Sequence, residues 1–218
     1  MIDFLSKHIL IFLLILVFSY LSGSLNFAII ISKFVRHDIR NFGSKNAGFS
    51  NVVRSFGKIP GIITFFGDFL KGILAVSLSK VVLSKFIFDD KILIFYLYFS
   101  FLSCFLGHLY PCYFGFKGGK GILTAWSMSF LIDWRISLIL ISTFLIMVLV
   151  FRIVSLASII VALAYPIVTC LLNFHDKNLL AFSFIFSSLI SVGIILKHVP
   201  NIKKLLRGEE EKINIKKR

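Results

Sequence analysis

Apolar residues run along most of this chain in long, nearly unbroken stretches. Seven can be drawn, each ending where a charged or glycine-rich segment intervenes: roughly 8–32, 57–83, 92–114, 121–132, 136–151, 153–173 and 179–197. A helix needs about 20 apolar residues to cross a bilayer, so the fourth and fifth stretches are short and favour a short helix or a re-entrant element. The pattern predicts an all-α polytopic bundle of transmembrane helices with about seven spans.

The composition excludes most other classes of protein. Of the 218 residues, 58% are hydrophobic and 16% are charged, whereas about a quarter of a soluble domain is charged. A water-soluble globule, a disordered chain and a coiled coil are therefore excluded. The three cysteines, Cys104, Cys112 and Cys170, are far apart within apolar stretches and indicate membrane-embedded thiols rather than a metal site. No cofactor is predicted. We predict one domain over 1–218, with a basic tail from about 198.

The basic residues predict the orientation of the chain in the membrane. The formal charge is +14, and with seven crossings seventeen of the 24 Lys and Arg residues fall on the side of the carboxyl terminus. Basic residues are retained on cytoplasmic loops, so the carboxyl terminus is predicted inside and the amino terminus outside. Contact with anionic membrane lipid accounts for the charge, and no nucleic-acid partner is predicted. Every segment rich in polar residues and glycine then lies on the cytoplasmic face.

Two of these segments follow the first and third stretches. The segment 38–54 contains hydrogen-bonding, glycine and arginine residues suited to a phosphate, namely Arg40, Gly43, Ser44, Asn46, Gly48, Ser50, Asn51 and Arg54. The second contains Gly118, Gly119, Lys120 and Gly121 just before an apolar helix, an arrangement typical of an anion-binding backbone nest. It is not a Walker A loop, because Gly121 follows the lysine. An ordinary polar turn and a flexible glycine loop are the alternatives.

Two later segments carry further candidates. Arg152, Ser155 and Ser158 follow the fifth stretch, where an interfacial anchor and close-packing serines are the alternative interpretation. His198 and Asn201 lie one helical turn apart below the last stretch, in a tail that could simply bind anionic lipid.

Asp68 and Lys71 are three residues apart within the second stretch. Ionisable groups at such depth indicate either an internal ion pair or a function.

Together these segments resemble the bacterial integral-membrane acyl-phosphate:glycerol-3-phosphate acyltransferases. The first motif of that family, Gly-Ser-Gly-Asn-x-Gly-x-Thr-Asn-x-x-Arg, is matched from Gly43 to Arg54. Four other motifs match in order: Asp68, Lys71 and Gly72; Gly107, His108, Pro111, Phe116 to Gly121 and Thr124; Arg152, Ser155 and Ser158; and His198, Asn201, Ile202, Leu205, Gly208, Glu210 and Lys212. This chain departs from the family pattern with Lys45 for a glycine, Ser50 for a threonine and Asn26 where proline is common. Lys45 either extends phosphate binding or disturbs the loop.

The resemblance implies transfer of a fatty acyl group from acyl phosphate to the 1-hydroxyl of glycerol 3-phosphate. Acyl phosphate is a mixed anhydride with a good leaving group, so no covalent acyl-enzyme is needed. The residues implied as catalytic are Ser44, Arg54, Lys120, His198 and Asn201. Those implied as substrate-binding are Asn46, Gly48, Ser50, Asn51, Gly118, Gly119, Gly121, Arg152, Ser155 and Ser158. The proton acceptor is either the phosphate of the substrate or His198.

The same resemblance implies the setting of the protein. The expected location is the bacterial cytoplasmic (inner) membrane, with membrane lipid and a soluble acyl-phosphate-producing enzyme as partners. The alternative function is a small membrane transporter for an anionic solute, using the same loops as its binding site. A carrier site is expected near the bilayer midplane with repeat symmetry, and the chain has no convincing internal repeat.

Overall fold

The structure is a computed structural model that describes the backbone of residues 2–213 and the side chains of residues 7–213. Within this part of the chain there are nine α-helices: α1 Ile2–Ser24, α2 Phe27–Phe34, α3 Phe49–Phe56, α4 Lys58–Leu83, α5 Asp90–Leu109, α6 Ile122–Ile132, α7 Trp134–Phe151, α8 Val154–Asn173 and α9 Lys177–Leu206. The prediction of an all-α fold is confirmed.

Six of the described helices are long and apolar enough to span a bilayer: α1, α4, α5, α7, α8 and α9. The fifth predicted stretch is longer than expected, because Asp133 caps α7 through the N–H of Arg135 and the helix begins at Trp134. Helix α6 has 11 residues. At 1.5 Å per residue it is about 16 Å long, roughly half the thickness of the hydrocarbon core. The predicted short element is therefore α6 alone.

The prediction that 8–32 forms one span was wrong, because the helix ends at Ser24 and a new one begins at Phe27. Asn26 caps α2, and its Oδ1 accepts a hydrogen bond from Ile29 N at 3.1 Å. The two backbone groups at the break are also paired: Leu25 O accepts from Lys71 Nζ at 2.9 Å, and Phe27 N donates to the Asp68 carboxylate at 3.3 Å. Hydropathy is continuous here, but polar partners elsewhere in the chain stabilise a break in the helix.

The last helix continues past the predicted start of the tail. Helix α9 includes Pro200 and ends at Leu206, and Gly208 follows with a left-handed backbone at φ 70°. The chain then reverses, and Ile213 N donates to Arg152 O at 2.7 Å. The first part of the predicted tail is therefore helical, and the rest folds back onto Arg152, at the start of the fourth motif.

The chain divides into two compact units, Met1–Ile132 and Asp133–Arg218. In the first, α1 packs on α5, and the contact is so close that a Cβ at Gly107 would collide with the carbonyl oxygen of Tyr20. In the second, α8 packs against both α7 and α9, and Ser191 Oγ donates to Ala162 O at 2.6 Å. The prediction of a single domain over 1–218 stays a prediction.

Candidate active site

Asn51 holds the first polar segment from inside. Its side chain is 2% exposed, and its Oδ1 accepts from Ser44 N at 3.0 Å. Its amide nitrogen donates to three carbonyl oxygens, those of Phe42 at 2.9 Å, Asn46 at 3.0 Å and Ile39 at 3.3 Å. A buried amide is costly unless its groups are paired, so these contacts fix the course of the loop. The described contacts of Asn51 are thus with the chain itself, and its predicted contact with substrate stays a prediction.

Two residues of this loop have a left-handed backbone. Gly43 has φ 51° and Lys45 has φ 58°. Glycine adopts this region freely, whereas in most other residues, Asn and Asp being the common exceptions, Cβ comes too close to the following carbonyl oxygen. This backbone conformation explains why the family has glycine at position 45. In this chain the backbone of Lys45 is strained there, while its side chain is exposed.

Part of the segment predicted as a loop is the helix α3. Its N-cap is Gly48, whose extended backbone leads into Phe49. Ser50 and Arg54 are four residues apart on this helix, so they lie on one face, and both are exposed. Ser44 is also exposed. The structure therefore presents a serine and an arginine side by side on a regular element.

Arg40 joins the first polar segment to the second. It pairs with Asp38, with 2.7 Å between Nη2 and Oδ2. Its Nη1 also donates to Phe114 O at 2.9 Å and to Lys117 O at 3.4 Å. The hydrogen bond from the Arg40 guanidinium holds the pKa of the Asp38 carboxyl below its usual value. Because these contacts use the guanidinium to connect two loops, Arg40 has a structural role.

The two ionisable residues of α4 form a buried ion pair. Asp68 and Lys71 are each 2% exposed at their side chains and 2.8 Å apart. Lys71 Nζ also lies 2.9 Å from His108 Nδ1, near the end of α5. Of the two interpretations of this pair from the sequence, the structure shows the internal ion pair, and it extends the pair to a histidine.

The glycine loop packs tightly onto the end of α5. Gly118 N donates to Leu109 O at 3.3 Å, and Gly119 N donates to His108 O at 3.1 Å. A Cβ at Gly119 would collide with the His108 ring, and Gly121 has φ 83° with no room for a Cβ beside Phe105. The prediction that all these N–H groups form an anion nest needs correction, because two of them are paired with α5 carbonyls. Close packing explains the glycines, and half-buried Lys120 lies between them.

In the second unit, Arg152 and two serines surround the start of α8. Arg152 caps α7 with a left-handed backbone at φ 60°. Ser155 is 6% exposed, and its hydroxyl has no hydrogen-bond partner among the described residues. Ser158 Oγ donates to Val154 O at 2.9 Å within the helix. An unpaired buried hydroxyl carries a desolvation cost, so Ser155 is the stronger candidate for substrate contact.

His198 and Asn201 lie on α9 as the sequence predicted, and each has a fixed orientation. His198 is 2% exposed, and its Nδ1 lies 2.8 Å from Ile194 O. A carbonyl oxygen only accepts, so Nδ1 is the donor, and the neutral form of the ring has its lone pair on Nε2. Asn201 Nδ2 donates to Glu210 Oε1 at 2.7 Å. Glu210 was matched as part of a motif, but its partner was not predicted.

The first unit brings three of the five motifs together. Asn26 Nδ2 donates to Ala47 O at 3.3 Å, and the position of a Cβ on Gly119 is 2.5 Å from the same oxygen. The pairing of Asn26 with Ala47 and of Lys71 with His108 was missed, because nothing in the local sequence indicates it. Among the described side chains, those of residues 7–213, no three from His, Cys, Asp or Glu cluster in a way that could hold a metal ion.

Known proteins similar to this chain are found by both sequence and structure. A sequence model of a family described as glycerol-3-phosphate acyltransferase matches residues 13–208. The glycerol-3-phosphate acyltransferase of Thiobacillus denitrificans is 37% identical over 206 residues, covering 94% of this chain and 98% of that protein. That of Aquifex aeolicus is 36% identical over 200 residues, with 92% and 98% covered.

Two crystal structures of PlsY, an integral membrane glycerol 3-phosphate acyltransferase, are also similar. The glycerol 3-phosphate form has a TM-score of 0.80 at 35% identity, covering 93% of this chain and 96% of that one. The lysophosphatidic acid form has a TM-score of 0.76 at 34% identity, covering 93% and 95%.

Proposed function

This chain belongs to the glycerol-3-phosphate acyltransferase family, and we propose that it acylates the 1-hydroxyl of glycerol 3-phosphate with an acyl phosphate as donor. The products are lysophosphatidic acid and inorganic phosphate. The observation that carries this proposal is the likeness, over 93% of the chain, to a relative in its glycerol 3-phosphate form. The similar lysophosphatidic acid form of that relative supports the product.

The donor is proposed for its chemistry. In an acyl phosphate the carbonyl carbon is joined to a phosphate oxygen, and the phosphate leaves readily with the bonding electrons. The oxygen of the 1-hydroxyl attacks this carbon, the C–O bond to phosphate breaks, and the hydroxyl proton passes to a base. No covalent acyl-enzyme is needed, so most of the rate comes from positioning the two reactants and stabilising the carbonyl oxygen.

Arg54 and Lys120 are proposed to bind the phosphate groups of the two substrates. Both are cations beside loops that contacts through Ala47 and Arg40 hold together. Arginine matches two phosphate oxygens at once, and lysine adds a point charge. Ser44 and Ser50 supply neutral donors nearby, and both are exposed.

In the second unit, Ser155, His198 and Asn201 are proposed to orient glycerol 3-phosphate and the carbonyl. The hydrogen bond to Ile194 O leaves His198 with a lone pair on Nε2, as a base or an acceptor requires. The phosphate of the substrate is the other proposed proton acceptor. Glu210 accepts from the Asn201 amide nitrogen, and because the amide is planar, this hydrogen bond also fixes the direction of its oxygen.

The proposed location is the bacterial cytoplasmic membrane, with the loops at the cytoplasmic face and the amino terminus outside. With α6 taken as a short seventh crossing, the excess of basic residues on the side of these loops supports this orientation. Glycerol 3-phosphate is water-soluble and acyl phosphate is amphipathic. A soluble acyl-phosphate-producing enzyme at the same face is the proposed partner.

A reconstituted assay tests this function. Purified protein in lipid vesicles would receive glycerol 3-phosphate with either acyl phosphate or acyl-CoA, and lysophosphatidic acid and phosphate would be measured. Product with acyl phosphate alone is expected. Product with acyl-CoA alone would contradict the donor, and solute flux without product would support the transporter instead.

Lys120→Ala is expected to abolish turnover in this assay, because the loop loses its only side-chain charge between Gly118 and Gly121. Lys117→Ala, an exposed lysine three residues earlier, is the matched control and should retain activity. Near-normal turnover by the Lys120 variant would remove this residue from the site.

A further inference from the structure

The ion pair of α4 determines which nitrogen of His108 carries its proton. The Lys71 ammonium has three hydrogens and three acceptors within reach: Asp68 Oδ1 at 2.8 Å, Leu25 O at 2.9 Å and His108 Nδ1 at 2.9 Å. An ammonium donates and cannot accept. Nδ1 is therefore the acceptor, and the neutral ring carries its proton on Nε2.

Both alternative forms of the ring are disfavoured at this place. A proton on Nδ1 would face the Lys71 ammonium and remove its third acceptor. The Asp68 carboxylate is 3.8 Å from Nδ1, whereas it lies 2.8 Å from Lys71. All three side chains are buried, and in a buried site an unpaired donor or a second cation is strongly unfavourable.

The opposite edge of the ring faces the glycine loop. A Cβ placed on Gly119 would collide with His108 Nε2, and its distance to Ala47 O would be 2.5 Å. The backbone of the same histidine also receives the Gly119 N–H at 3.1 Å. Gly119 is thus packed against His108 through both its amide and its Cα, at the point where the two polar loops meet.

We propose that His108 is a positioning residue: Lys71 holds it as the Nε2–H tautomer, and this N–H faces the junction of Ala47 with Gly119. The ion pair of α4 thereby sets the place of the loop that carries Lys120. This inference rests on the proposed function, because only there does Lys120 bind a phosphate. His108 acts through the loop backbone and takes no part in the chemical step.

Nitrogen NMR tests the tautomer without any assay of activity. The chain has five histidines, so protein labelled with ¹⁵N-histidine in lipid nanodiscs gives few signals, and His108→Gln identifies those of His108. The expected pattern at neutral pH is a protonated Nε2 and a bare Nδ1. A protonated Nδ1, alone or in an imidazolium, would overturn the proposal.

A double variant tests whether Lys71 is what fixes the ring. Lys71→Met alone leaves the Asp68 carboxylate buried without its partner, so Asp68→Asn is combined with it. Without the ammonium, His108 is expected to populate both neutral tautomers. A single, unchanged Nε2–H form in the double variant would show that another group fixes the ring. The wild-type spectrum answers the first question even if this variant does not fold.

Two substitutions of His108 separate its two edges. Gln places an amide N–H near the Nε2 position, whereas Asn retains an acceptor near Nδ1 and provides nothing at Nε2. Loss of a contact worth as much as one hydrogen bond changes binding roughly tenfold. His108→Asn is therefore expected to raise the KM of at least one phosphorylated substrate about tenfold with little change in kcat, and His108→Gln to stay near wild type.

Equal effects of the two substitutions, or a loss confined to kcat, would contradict a positioning role at the Nε2 edge. The NMR measurement tests this inference and the wild-type assay tests the proposed function, so either can be refuted without the other. An inactive wild-type protein with the predicted tautomer would refute the proposed function alone. An active protein with Nδ1 protonated would refute only this inference.

Discussion

The two units hold their candidate residues by different means. In Met1–Ile132 the candidates lie on loops or a short helix, whose course depends on buried side chains such as Asn51 and Lys71 that bond to backbone groups far along the chain. In Asp133–Arg218 the candidates other than the cap residue Arg152 lie on long helices, and His198 is oriented by a carbonyl four residues earlier. A loop needs partners from outside to hold one conformation, whereas a helix supplies them itself. Stability and activity should therefore be coupled in the first unit and separable in the second.

Among the variants that test this comparison, Lys71→Met is expected to have the largest effect on stability. Removal of one partner of a buried ion pair leaves the other charge unpaired, which costs about 3–5 kcal/mol. It also leaves Leu25 O without its donor at the helix break. We expect a strongly lowered thermal midpoint in detergent, with loss of activity. The control is Lys80→Met, an exposed lysine of the same helix, and equal midpoints of the two variants would show that the pair does not stabilise the first unit.

In the second unit, His198→Asn should lower activity without a matching loss of stability. The Asn amide can still donate to Ile194 O, but nothing replaces the Nε2 lone pair. If His198 is the base, turnover should fall by about 100-fold, while the free energy of unfolding changes little. His175→Asn, an exposed histidine after α8, is the control. A large loss of stability without a specific loss of kcat would place this residue among the structural ones.

Asn51→Ala tests the coupling in the first unit with a neutral residue. The variant leaves the Ser44 N–H and three buried or half-buried carbonyls without this partner. A lost buried hydrogen-bond partner costs about 1–3 kcal/mol, and we expect the midpoint and the activity to fall together. Asn41→Ala, which removes an exposed amide from the same loop, should change neither. Full stability with reduced activity would instead indicate a direct contact with substrate.

The transmembrane helices were predictable because hydropathy is averaged over long windows, and single residues hardly affect it. The break at Leu25 was not, because it depends on Lys71 and Asp68 more than 40 residues away, where the sequence showed only that they are charged. Likewise, the spacing of Asn201 and Glu210 indicated no contact, since they meet only after the reversal at Gly208. Local pattern predicts elements, and pairing across the chain determines where they end.

The glycine loop shows a different limit. Its position was predicted, but its glycines were attributed to phosphate-binding N–H groups. In the structure, the N–H groups of Gly118 and Gly119 donate to α5 carbonyls, and a side chain at Gly119 would displace His108. The same residue type serves anion binding and close packing, so composition alone cannot distinguish them. The contacts of each glycine can.

The smallest expected effect concerns Lys45, where this chain departs from its family. A left-handed backbone costs a residue with a Cβ roughly 1 kcal/mol or more compared with glycine, so Lys45→Gly should raise the free energy of unfolding by about that amount. Lys45→Ala removes the charge but retains the Cβ, and should not stabilise the protein. If the two variants unfold at the same temperature, the backbone strain is not real. If both raise the KM of a phosphorylated substrate equally, the Lys45 charge takes part in phosphate binding, and the departure from glycine has a function that outweighs its strain.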